Sequence, residues 1–195
     1  MWDQRYRDAD YVYGKQANDF LVENYSRLPK GKILSLAEGE GRNAVFLAQQ
    51  GYAVTAVDSS QVGLDKAQKL AQEYGVKIDT ILADINEFEI TPNTWEGIIS
   101  IFCPLSTQQQ QQLYPKIVAG LKPKGVYLVE AYRPEQLAYG TGGGSSADQM
   151  TTQASLEHGL RDLEFIQLES LEREVIEGKF HTGLAAVIQA IALKH

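Results

Sequence analysis

Short runs of nearly continuous apolar residues recur along the chain, at Ile33–Ala37, Ala53–Val57, Ile78–Ala83, Ile98–Cys103 and Val126–Ala131. A strand with one wet face alternates apolar and polar residues. A strand covered on both faces does not, and parallel sheets are covered on both faces. Between the runs lie helical patterns. Ala44, Val45, Leu47 and Ala48 fall on one helical stripe that Gly51 can terminate in the left-handed conformation. Ser59 or Ser60 can cap a helix carrying Val62, Ala67, Leu70, Ala71 and Tyr74, stopped at Gly75. Ser106 with Gln109 matches a capping box ahead of Leu113, Ile117, Val118 and Leu121, and Lys122-Pro123-Lys124-Gly125 is a turn that cannot continue that helix.

The last third reads differently. Phe165–Ile176 and Thr182–Leu193 are strand-like runs joined by Glu177-Gly178-Lys179, the spacing of an antiparallel hairpin. The pattern therefore predicts an α/β fold, a doubly wound and mostly parallel seven-stranded sheet with an antiparallel C-terminal hairpin. Residues 1–195 read as a single domain, with 1–30 an aromatic cap segment (Trp2, Tyr6, Tyr11, Tyr13, Tyr25) and 31–195 the core. The glutamines 108–112 read as an exposed helix face, and Gly142–Ser146 as a mobile surface loop.

Composition narrows the function. Hydrophobic residues are 44% and charged residues 22%, enough apolar material for a sizeable core and unlike a disordered chain. A net charge of −7 argues against a nucleic-acid partner, which needs a basic surface. The single cysteine, Cys103, excludes an intramolecular disulfide and a thiolate-rich zinc site, and no metal site is expected. The first residues contain no apolar signal region, and the longest apolar stretch, Gly183–Leu193, is broken by Gln189 and too short to span a bilayer. The expectation is a cytoplasmic monomer or homodimer with no membrane partner.

Chemistry concentrates at the first strand–helix junction, Ala37-Glu38-Gly39-Glu40-Gly41-Arg42-Asn43-Ala44. Glycines let the backbone turn sharply against a ligand, and the helix that follows offers unpaired N–H groups. Asp58 ends the second strand, 17 residues after Gly41, where an acid can accept both hydroxyls of a ribose. A nucleoside cofactor is expected. Glu38 and Glu40 set two carboxylates against one Arg42, a field that disfavours a pyrophosphate and favours a cation such as the sulfonium of S-adenosylmethionine. Asp84 can accept from an adenine amino group while Ile85 packs on the ring; a helix cap or acidic turn is the alternative for Asp84. Cys103 lacks a basic partner and reads as a buried spacer whose backbone lines the cofactor. Tyr13-Gly14 is a candidate flap, whereas Trp2 and Tyr25 read as packing. His181 faces either the substrate or solvent. Tyr132 and Arg133, ending the fifth strand, are placed to meet an anionic substrate, and Tyr139–Ser146 to cover it; a surface position before Pro134 is the equal alternative for Arg133. His158 and His195 carry no functional argument.

Ile33–Ala44, Asp58, Asp84-Ile85 and Leu121–Gly125, with the terminal hairpin, resemble the class I S-adenosylmethionine-dependent methyltransferases. Trp2, Arg5-Tyr6, Tyr13-Gly14, Asn18–Leu21 and Gly41-Arg42-Asn43 resemble the small tellurite-resistance and thiopurine methyltransferase group. The sequence departs from that pattern at Ser35, where the family has an acid, at Ala37, where it has glycine, and at Glu38. The resemblance implies a Rossmann-like methyltransferase domain and in-line methyl transfer to a small-molecule nucleophile: a soft anion, thiol or chalcogen oxyanion needing no strong general base. It places the cofactor against Tyr13, Glu38, Gly39, Gly41, Arg42, Asn43, Asp58, Ser59, Asp84, Ile85 and Cys103. His181, Arg133 and Tyr13 are the candidates on the reacting side. An NAD(P)-dependent oxidoreductase and a non-catalytic S-adenosylmethionine-binding protein are the alternatives.

Overall fold

A computed structural model describes residues 2–8 and 10–195; Met1 and Ala9 of the cap segment lie outside the described residues. Seven strands form one sheet in the order β3-β2-β1-β4-β5-β7-β6. They are β1 (Lys32–Leu36), β2 (Ala53–Asp58), β3 (Asp79–Leu82), β4 (Trp95–Ile101), β5 (Leu121–Tyr132), β6 (Glu164–Glu177) and β7 (His181–Leu193). The first five pair in parallel, while β7 runs antiparallel to both β5 and β6. The mostly parallel sheet with its reversed hairpin is the one the apolar runs predict.

The helices are α1 (Trp2–Arg5), α2 (Asp19–Asn24), α3 (Arg42–Gln49), α4 (Gln61–Glu73), α5 (Thr107–Gly120) and α6 (Gln153–Gly159). Their ends follow local chemistry. Ser60, not Ser59, caps α4 by accepting from the Gly63 amide, and Ser106 with Gln109 forms the expected capping box on α5. Gly51 and Gly75 take positive φ beyond α3 and α4. Two apolar layers sandwich the sheet. One holds Phe20, Leu47, Leu64 and Leu70 under α2, α3 and α4; the other holds Leu113 and Ile117 of α5, Leu156 of α6 and Leu160 just past its end.

Three local expectations change. β3 stops at Leu82, and as an edge strand it leaves Ile81 and Leu82 exposed instead of covered on both faces. Lys122–Gly125 belongs to β5 as a bulge against β4, with Lys124 at φ 67°, so the helix stop is also the entrance to the strand. Within the glutamine run, Gln110 is buried, donating to the carbonyls of Leu105 and Met150. No described helix is long and apolar enough to cross a membrane.

Candidate active site

Strand order reverses between β1 and β4, and ligands of doubly wound sheets bind beyond the carboxyl ends of the strands at that point. A cavity of about 610 Å³ opens there. Each of the first five strands feeds it from its end: Glu38 after β1, Asp58 of β2, Asp84 after β3, Cys103 after β4 and Tyr132 of β5. Of the predicted cofactor residues, Tyr13, Glu38, Arg42, Asn43, Asp58, Ser59, Asp84, Ile85 and Cys103 line this cavity. Gly39 and Gly41 lie behind them and shape the loop, both at positive φ. A Cβ on Gly41 would stand 2.6 Å from the Ala67 backbone, so this glycine lets α3 close on α4.

The two loop glutamates divide the work. Glu38 is buried; its Oε1 accepts from the amides of Asn43 (3.0 Å) and Ala44 (2.9 Å) at the start of α3, and Ser35 donates its hydroxyl to the other oxygen. Ser35, where the family pattern has an acid, is thus the partner of Glu38. Burial raises the Glu38 carboxyl above the ordinary range, against the pull of those hydrogen bonds and of Arg42. Glu40 turns the other way: its Oε1 lies 2.7 Å from Lys66 Nζ and its Oε2 accepts from the Val12 amide at 2.8 Å. The expectation of two carboxylates set against one Arg42 is therefore corrected: Glu40 lines the cavity but its charge is met by Lys66 as it anchors the cap segment, and Glu38 is turned onto the amides of α3.

Asp58 is fixed by backbone. Oδ2 accepts from the Gly39 amide and Oδ1 from the Ser60 amide, both at 2.8 Å, and burial raises its carboxyl. Asp84, more exposed, accepts from the Asn86 amide and side chain, which makes it the acidic turn weighed in the sequence as well as a wall of the cavity. The Cys103 thiol is pushed up to about 12 by burial and by Asp58, so it stays protonated and is not a nucleophile.

The far end of the cavity is aromatic. His181 packs with its ring centroid 4.5 Å from Tyr13, 5.1 Å from Phe102 and 5.3 Å from Tyr132, and Phe102 stacks on Tyr132 at 4.4 Å. The imidazole is half-buried among these rings and not free in solvent, as an isolated turn histidine would be. Burial, with Arg42 and Arg5, drives it down to about 3, so it is neutral at ordinary pH. Its Nδ1 and the Tyr132 hydroxyl are buried without a hydrogen-bond partner among the described residues. Arg133 is not part of this wall. It turns toward Glu135, Nη1 to Oε1 3.7 Å, which removes it from the reacting side.

The cap segment closes one side. Asp3 accepts from the Ser60 hydroxyl at 2.5 Å, Arg5 donates to the Tyr13 hydroxyl at 3.0 Å, and the Tyr6 hydroxyl sits 2.7 Å from where a Gly39 Cβ would be. Trp2 lines the cavity, beyond the packing role expected of it, and Tyr25 packs edge-on against Phe46. Gly143, Gly144 and Ser145 of the glycine-rich loop also reach the rim. The sequence assigned Arg5 and Tyr6 no place at the cavity; the signals were the aromatic run and the Arg5-Tyr6 pair within the family resemblance.

Comparison with known proteins agrees with this geometry. Residues 33–125 match the methyltransferase-domain family. Over 119 residues the chain is 28% identical to the ubiquinone biosynthesis O-methyltransferase of Rickettsia felis, covering 61% of this chain and 48% of that protein. The structure superposes on TehB from Haemophilus influenzae with a TM-score of 0.75 at 18% identity, over 100% of this chain and 66% of that one. It superposes on an S-adenosylmethionine-dependent methyltransferase from Clostridium acetobutylicum with a TM-score of 0.70 at 16% identity, over 99% and 96%. The fold is that of the class I S-adenosylmethionine-dependent methyltransferases. The chain spans about half the length of the curated relatives it matches.

Proposed function

We propose that this protein transfers the methyl group of S-adenosylmethionine to a small-molecule nucleophile held at the aromatic end of the cavity. The observation that carries the reading is Glu38. In a dinucleotide-binding fold the first amides of the helix after β1 hold a pyrophosphate. Here Glu38 occupies the amides of Asn43 and Ala44 and fills that anion site with the chain's own carboxylate. A nucleoside bearing a cation suits such a site, and NAD(P) does not.

Bound there, S-adenosylmethionine supplies an electron-poor methyl group on a sulfonium that departs as a neutral thioether. The chain's residues do the rest. Asp58, its carboxylate aimed by Gly39 and Ser60, takes the ribose hydroxyls; Asp84 and Ile85 take the edge and face of the adenine. Tyr13, Ser59, Arg42, Asn43 and the backbone at Cys103 complete the wall. Tyr6 and Trp2 exclude water from above. His181 is neutral and too weak a base to carry a proton, so it orients the acceptor through a hydrogen bond. A nucleophile that ionises by itself, such as a thiol or chalcogen oxyanion, meets that requirement.

A second reading, an oxygen acceptor on a planar ring, is favoured by the cluster of Tyr13, Phe102, Tyr132 and His181 and by the O-methyltransferase relatives. Calorimetry with S-adenosylmethionine, S-adenosylhomocysteine and NADH, then radiolabelled methyl transfer to thiols, selenite, tellurite and catechols, tests both. Binding of NADH in place of S-adenosylmethionine would overturn the proposal, and the labelled product separates the two acceptor classes.

A further inference from the structure

Beneath the aromatic wall lies a buried charge network that the proposed chemistry does not use. Glu130 on β5 and Glu177 at the end of β6 are both buried. Arg173 forks onto Glu130, Nε to Oε1 at 2.7 Å and Nη2 to Oε2 at 2.8 Å. Asn18 donates its amide hydrogens to Glu130 at 2.6 Å and to Glu177 at 2.8 Å. Gln189 of β7 donates to Glu130 at 2.7 Å. Arg42, at the start of α3 and in the cavity wall, closes the network on Glu177 at 2.5 Å. Two carboxylates face two guanidiniums, so the buried charge balances.

The register shows what this network touches. Glu177 is the cross-strand partner of His181, so their side chains leave the hairpin on the same face. Glu130 is two residues from Tyr132 on β5 and shares its face by the pleat. Each buried polar group without a partner in the aromatic wall therefore lies on the same sheet face as one carboxylate of the network. The hairpin turn is also pressed on the cap: a Cβ on Gly178 would lie 2.3 Å from the Val12 carbonyl, and the Lys179 amide donates to that carbonyl at 2.8 Å.

We infer that Glu177 is a positioning residue: by bridging Arg42 of the cofactor wall, Asn18 of the cap and Arg173 of β6, it sets His181 and the aromatic wall at a fixed distance from the cofactor loop. The inference rests on the reading of the aromatic end as the acceptor's place. The charges are spent on geometry, because in-line transfer is sensitive to displacements of about 1 Å. Neutral pairing at the hairpin turn would leave the imidazole free to swing on its strand end.

The chain has three histidines, so the His181 ring resonances are assignable by NMR with His181→Gln as the blank. In the wild type they are displaced by the ring currents of Tyr13, Phe102 and Tyr132 and do not move across pH 5–8. In Glu177→Ala they move toward the positions of His158 and His195 and begin to titrate. Glu177→Gln keeps the volume but turns an N–H toward Arg42; it gives the same change in smaller measure and carries the test if the alanine variant does not fold. His181 resonances left in place in the folded variant would overturn the inference. Calorimetry with S-adenosylmethionine on the same samples separates the two ideas: a wild type that does not bind it sinks the functional reading and leaves the histidine result standing.

Discussion

Lys66 Nζ lies 2.7 Å from Glu40 Oε1, and the same amine reaches the Asp10 carbonyl at 2.9 Å. Helix α4 thereby supplies the counter-charge for a carboxylate that belongs, in sequence, to the cofactor loop. Its other oxygen holds the Val12 amide, so one ion pair joins loop, helix and cap.

Removing the amine leaves Glu40 buried and uncompensated, a situation that costs about 3 kcal/mol or more. Lys66→Ala is expected to destabilise by that order in urea titrations. Adding Glu40→Gln should recover part of the loss, since the amide oxygen still accepts from Val12. A double variant less stable than Lys66→Ala alone would show that the pair is not the source of the effect.

Asp58→Ala removes the proposed acceptor for the ribose hydroxyls. Hydrogen bonds to a charged group contribute about 1.5–3 kcal/mol each, so the Kd for S-adenosylmethionine should rise at least tenfold. Asp58 also aims the Gly39 and Ser60 amides, and a drop in Tm accompanies the loss. Unchanged affinity by calorimetry would place the ribose elsewhere.

Gly41→Ala tests the loop as architecture. At φ 95° a side chain is strained by about 1–2 kcal/mol. The new Cβ also meets the Ala67 backbone at 2.6 Å, where nothing flexible can yield, and overpacking adds about 1–3 kcal/mol. At about 2–4 °C per kcal/mol, thermal unfolding should shift down by roughly 4–20 °C. Gly51→Ala is the comparison: it also has positive φ, but its Cβ meets nothing within 4 Å, so its loss should be smaller.

His181 makes stability depend on pH in a known direction. Its folded value is about 3 and its ordinary value 6.5, so the unfolded chain takes up a proton first. Its contribution is complete above pH 6.5 and is lost as pH falls toward 3, by up to about 1.4 kcal/mol per pH unit. Urea midpoints measured from pH 7 to 5 should fall in the wild type and flatten in His181→Gln. Parallel curves would mean that the imidazole is already hydrated in the folded protein.

Local signals carried much of the architecture. Apolar runs marked the interior strands, capping chemistry marked α5, and the Glu177–Lys179 spacing marked the reversed pair. β3 was misjudged because Ile78–Ala83 reads as covered on both faces, whereas its place at the sheet edge is decided by strand order. In the site, the glycine loop and Asp58 were legible because their chemistry is local. Glu38 was legible as a charge but not as a cap on α3, since that depends on Ser35 and the turn at Ala37, which takes φ 52°. The partners of Glu130 and Glu177 come from residues 18, 42, 173 and 189, and no spacing rule links positions so far apart. The burial of His181 likewise depends on the hairpin turn meeting Val12 and Tyr13.

β7 is the last of the seven strands in sequence, yet it sits inside the sheet between β5 and β6. During synthesis β5 must wait with an open hydrogen-bonding edge, and β6 leaves the ribosome with nothing beside it. A chain in which β7 has not yet inserted therefore offers wrong pairing two unmatched edges, one on β5 and one on β6.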